Sequence, residues 1–109
     1  MRNKILGEWY GRKTIPLLAS GECRIIFCED GTAKADGKVK ILGDNMNVSA
    51  DEITWEHCGD NRFVGKYRDC RIEFVFQNGC LKTTVNPYKL GAVTNPKYDM
   101  NIPLEMKRR

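Results

Sequence analysis

The side chains best suited to chemistry in this 109-residue chain are one histidine, His57, five cysteines and fourteen carboxylates. A general base needs an orienting partner and a nucleophile in reach, and no motif places either beside His57. Cys23, Cys28, Cys58, Cys70 and Cys80 contain no C-x-x-C pair, so neither a zinc ribbon nor a thioredoxin-type redox motif is present. Cys23 and Cys28, five apart, would fall on opposite faces of a strand. Their odd number does not fit a fully paired disulfide framework, so free thiols in a reducing compartment are expected. Ser20 and Ser49 lack G-x-S-x-G surroundings, and the glycines fall in turns without phosphate-binding spacing. Glu8, Glu22, Glu56 and Glu73 lie on outward strand phases, and nothing points to a paired-carboxylate site. The expectation is no catalytic residue, no metal and no cofactor, with His57 a hydrogen-bonded structural residue.

Aromatic residues offer the other candidate chemistry. Trp55, Phe63, Tyr67, Phe74 and Phe76 could simply fill a small core. Alternatively, Trp55, Tyr67, Phe74 and Phe63 line a pocket with Arg24, Arg62 or Lys66 at its mouth, suited to a small apolar or carboxylated ligand. Stacking of nucleic acid on Tyr10, Tyr67 or Phe63 is disfavoured. Basic residues are dispersed among acids, as Arg71 beside Glu73, and no helix interrupts the strands as in an OB-fold. A third reading is a protein-binding or self-associating module, through exposed Ile26 or through the irregular stretch from Tyr88 to Met100. That stretch could equally be a strap over one end of the domain, with Tyr88 and Leu90 as plugs.

The elements that would position these residues are short strands. Cys23, Ile25 and Phe27 alternate with Glu22, Arg24, Ile26 and Cys28, and Glu29-Asp30-Gly31 follows as a tight turn. Val39 and Ile41 alternate with lysines, Gly43-Asp44-Asn45 reads as a turn, and Ile53 to His57 alternates again before Cys58-Gly59-Asp60-Asn61. Phe63, Gly65 and Tyr67 share a face, as do Cys70, Ile72, Phe74 and Phe76. The change from odd to even across Arg68-Asp69 demands a turn or bulge. Gln77-Asn78-Gly79 is the strongest hairpin signal, with Leu81, Thr83 and Val85 beyond it. A last short strand holds Leu104 and Met106, and Pro103 belongs at its beginning or at an edge. Ile15 to Ala19 could form at most one helical turn.

Eight to ten short strands with short connections predict an antiparallel up-and-down (meander) β-barrel, a single domain over residues 1–109. Trp9, Ile25, Phe27, Val39, Ile41, Trp55, Ile72, Phe74, Leu81 and Leu104 should form its core. Composition is ordinary for a globular chain at 41% hydrophobic and 29% charged, with a formal charge of +4. No apolar run approaches the roughly 18 residues of a membrane span. Glu8 and Arg12 interrupt the stretch a signal peptide needs, so the expected compartment is the cytoplasm. The basic end, Met106-Lys107-Arg108-Arg109, reads as a solvated tail.

Gly7-Glu8-Trp9-Tyr10 resembles the G-x-W signature on the first strand of calycin-type barrels, the lipocalins and their short lipocalin-like relatives. Ile25-Ile26-Phe27-Cys28-Glu29-Asp30-Gly31-Thr32 and Ile53-Thr54-Trp55-Glu56 are similar to stretches of the small lipocalin-like domains. The resemblance implies that a basic residue of the last strand, Lys107 or Arg108, packs on Trp9 and closes the barrel base. It also implies non-catalytic binding of a small molecule. The chain is shorter than a typical lipocalin and lacks the long helix that follows many of those barrels.

Overall fold

A computed structural model describes residues 4–16, 19–41, 43–91 and 94–108. Eight antiparallel strands follow one another in sequence order and close into a barrel. They are β1 (Gly7–Ile15), β2 (Ala19–Phe27), β3 (Thr32–Ile41), β4 (Asp44–Gly59), β5 (Arg62–Tyr67), β6 (Cys70–Gln77), β7 (Cys80–Val85) and β8 (Ile102–Arg108). The count is at the lower end of the expected eight to ten, because β4 is one strand of 16 residues. Its alternation is visible in sequence only over Ile53–His57. An extra residue opposite Lys34 shifts the β3–β4 register between Ala33 and Ala35. That bulge moves the inward set from Met46, Val48 and Ala50 to Ile53 and Trp55, which hides the continuity of the strand. Asp44 and Asn45, read as part of a turn with Gly43, already belong to β4, where they pair with Ile41 and Lys40.

Local chemistry sets the hairpins. Asn78 and Gly79 both take positive φ, 54° and 78°, the backbone that lets a two-residue turn match the strand twist. The change of phase at Arg68-Asp69 is also a two-residue turn, in which Arg68 takes positive φ, with Tyr67 opposite Cys70. In the β2–β3 turn the Thr32 hydroxyl and amide both donate to Asp30 Oδ1, at 2.6 and 3.0 Å. These bonds hold the Asp30 carboxyl below its ordinary value, the hydroxyl contributing most.

The interior divides into two halves. At the base, Trp9, Phe27, Trp55, Phe63, Phe74, Leu81 and Met106 are buried in one cluster. Phe27 meets Trp55 and Phe74 edge-on at 5.6 and 5.4 Å, an arrangement that suits the ring quadrupoles. Ile5, ahead of β1, is fully buried there and was not among the expected core residues. Its carbonyl accepts the Trp9 Nε1–H at 2.8 Å. The Arg108 guanidinium lies 4.5 Å over the Trp9 ring and donates to the Leu6 and Lys4 carbonyls, tying the start of the chain to its end. Arg108 is thus a structural cation rather than part of a free tail. Val39 and Ile72, expected as core, are half-buried.

At the opposite end the connection from β7 to β8 lies across the mouth. Tyr98, in the short 3-10 turn Pro96–Tyr98, is buried against Ile41, with Ala19, Val39, Met46, Tyr88 and Met100 around it. Its hydroxyl donates to Asp44 at 2.5 Å. Asn86 organises the start of this strap: its Oδ1 accepts from the Tyr88 and Lys89 amides, and its Nδ2 donates to Asp99 and Asn101. The Cys70 thiol donates to the Lys89 carbonyl, fastening the β5–β6 turn to it. Among the described residues no helix is long and apolar enough to cross a membrane.

Candidate functional site: a cavity in the open half of the barrel

Where the base is filled by large rings, the inward positions nearer the mouth are small. Gly21 and Cys23 on β2, Ala35 and Gly37 on β3, and Ala50 on β4 face the same space. Their missing volume leaves a cavity of about 400 Å³, at the lower end of the roughly 300–1,000 Å³ usual for small-molecule sites. Ile25, Ile53, Phe74 and Met106 form its floor above the aromatic base, and Pro87, Leu90 and Gly91 of the strap contribute to its roof. The lining is predominantly apolar, so the space favours a hydrophobic occupant.

Polar groups on the wall fall into two kinds. Glu22 accepts from the Tyr10 hydroxyl at 2.6 Å and lies 3.8 Å from Arg12. Asp36 is bound by Arg24 at 2.6 Å. These carboxylates are already compensated. The cations Lys13 and Arg68 also border the cavity, and neither is in an ion pair among the described residues. The Cys23 thiol, half-buried in the wall, is pushed up to about 11 by desolvation and then by Asp36, so at neutral pH it is a protonated, weakly nucleophilic group.

The expected ligand-binding residues separate in space. Tyr67 and Phe74 line the cavity. Trp55 and Phe63 belong to the packed base instead: Trp55 donates to the Cys28 carbonyl at 3.0 Å, and Phe63 is fully buried beneath it. Arg24 sits on the outer face, between Asp36 and Glu8, and not at the mouth. Arg62 and Lys66 are exposed, Lys66 lying 3.9 Å from Glu56. His57 stacks on Phe63 at 4.8 Å and its Nε2 is 2.7 Å from the Asp60 carbonyl, a hydrogen-bonded structural position. No group of three or more possible metal ligands occurs among the described residues. All five cysteines are free thiols.

Sequence reading offered Leu90 as a plug and a pocket on Tyr67 and Phe74, but it missed Lys13 and Arg68 and extended the pocket to Trp55 and Phe63, which the cavity does not reach. The available signal was the run of small residues on inward phases of β2 and β3, opposite large ones further down the same strands. The wall is also incomplete. β1 pairs with β8 over only three positions, Trp9–Gly11 with Met106–Arg108, against nine with β2. Beyond Gly11 the β1–β8 ladder stops. Comparison with protein-family models, with curated proteins and with solved structures returned no match.

Proposed function

We propose that this protein binds one small, mainly apolar or carboxylated molecule inside the open half of the barrel, without converting it. The observation that carries the reading is the apolar-lined cavity of about 400 Å³, set between an aromatic base and a tied-down strap. Small inward residues on three facing strands, Gly21, Cys23, Ala35, Gly37 and Ala50, leave this space unfilled where larger side chains would have packed it. The resemblance of Gly7-Glu8-Trp9-Tyr10 to the lipocalin signature, together with the meander order, supports the same reading. The molecule would lie on Phe74 and Met106, with Tyr67 at its side and Leu90 above.

The test uses N-phenyl-1-naphthylamine, an uncharged probe whose fluorescence rises in apolar sites. Wild-type protein should bind it saturably at one site. Ala50→Phe, which projects a ring into the cavity, should abolish binding while leaving the far-ultraviolet circular dichroism unchanged. Native mass spectrometry followed by denaturing extraction identifies any co-purifying occupant. A wild type without saturable binding, or undiminished binding in a folded Ala50→Phe variant, would overturn the proposal.

A further inference from the structure

We propose that Lys13, standing where β1 and β8 part, anchors the anionic end of the bound molecule, so that the site selects amphiphilic acids. The inference rests on the cavity being the ligand site. Lys13 shares a strand face with Trp9 and Gly11, four and two residues away, yet it is exposed. It occupies the first inward position above the last β1–β8 pair, Gly11 with Met106. Outside the same seam runs a groove bordered by Arg12, Lys82, Pro103 and Glu105. Lys13, Thr83 and Leu104 border both this groove and the cavity, so side chains alone divide the interior from solvent here.

Neighbouring charges leave Lys13 as the cation available to a ligand. Arg12 lies 3.8 Å from Glu22, and Arg71 lies 3.9 Å from Glu73. Glu105 is opposite Lys82 in the β7–β8 ladder and takes a hydrogen bond from Cys80. Arg68, the other cation on the wall, has its guanidinium 5.1 Å over the Tyr67 ring and close against Gly91, where it supports the strap. Lysine can lay its methylene stem along an apolar wall while its ammonium stays in water. An acid with its tail inside and its carboxylate at the seam matches that arrangement and avoids burying a charge.

The experiment displaces N-phenyl-1-naphthylamine with decanoate and, separately, with 1-decanol at neutral pH and low salt. Its readout is the ratio of the two dissociation constants. Exposed ion pairs are modest, so Lys13→Met should shift the ratio about two- to fivefold against decanoate. Decanol affinity should be unchanged, because the stem is conserved. Lys13→Arg should retain the wild-type ratio, and added salt should narrow the wild-type preference. An unchanged ratio in Lys13→Met overturns the proposal, as does a shift produced by Arg68→Met instead. Failure of wild type to bind the probe at all would remove the cavity reading and this inference together.

Discussion

Replacing Trp9 with alanine tests how the barrel base is closed. The side chain is 1% exposed, meets Phe76 edge-on at 6.0 Å, donates to the Ile5 carbonyl and carries the Arg108 guanidinium on its face. A buried aromatic cut back to alanine costs about 3–5 kcal/mol, a figure that already includes lost ring packing. The stranded Ile5 carbonyl adds about 1 kcal/mol. Loss of the surface beneath Arg108 adds about 0.5–1 kcal/mol, the value for an exposed cation on a ring. These contributions overlap, so the expected total is about 4–6 kcal/mol. Whole-domain stabilities are about 5–15 kcal/mol, so the variant should be marginal or unfolded. The assay is urea denaturation under reducing conditions, followed by far-ultraviolet circular dichroism because the substitution alters tryptophan fluorescence. Trp9→Phe keeps most of the packing and loses the N–H, and should cost about 1–3 kcal/mol. A Trp9→Ala midpoint shift equivalent to less than about 2 kcal/mol would refute the reasoning, since no buried indole with these contacts should be so dispensable.

Three further outcomes follow from other parts of the barrel. A methyl group added at Gly37 would lie 2.5 Å from the Glu22 carbonyl oxygen, so Gly37→Ala should lose about 2–3 kcal/mol. Gly21→Ala, whose nearest contact is 3.4 Å, should lose less than about 1 kcal/mol in the same denaturation assay. Asn86→Ala leaves the Tyr88 and Lys89 amides without their acceptor, and hydrogen exchange should show both losing protection. Asn86→Asp keeps that acceptor but sets a carboxylate against Asp99, and should cost about 2–3 kcal/mol with those amides still protected. The Cys23 thiol has a folded value raised from 9.0 to about 11, so between these values the unfolded chain releases a proton that the folded one keeps. Stability is therefore fully present below pH 9 and is lost as pH rises toward 11. Cys23→Ala should flatten that alkaline decline in thermal melts under reducing conditions.

Much of the architecture was legible in the chain, because a strand announces itself locally. Period-two alternation, Asn78-Gly79 and the phase change at Arg68-Asp69 each depend on a few adjacent residues, and together they implied a meander. Pro103 signalled the beginning or edge of a strand for an equally local reason, its missing N–H, and it stands second in β8. The long run of β4 was not legible: a bulge shifts the inward set by one residue, so the pattern looks like two segments. Nor could alternation separate Trp55 and Phe63 from Tyr67 and Phe74. All four lie inward, and their height along the barrel decides whether they pack the base or border the space above it.

The site belongs to tertiary structure throughout. Gly21, Cys23, Ala35, Gly37 and Ala50 come from three strands, and only the β2–β3–β4 register stacks their small side chains into one void. Lys13 is an ordinary strand lysine until closure stops two residues short of it and leaves it beside both the cavity and solvent. The sequence by itself determined which residues point inward, because that follows from backbone geometry over two residues. Tertiary structure decided which inward residues meet, because empty volume and unpaired charge are properties of facing strands rather than of neighbours along the chain.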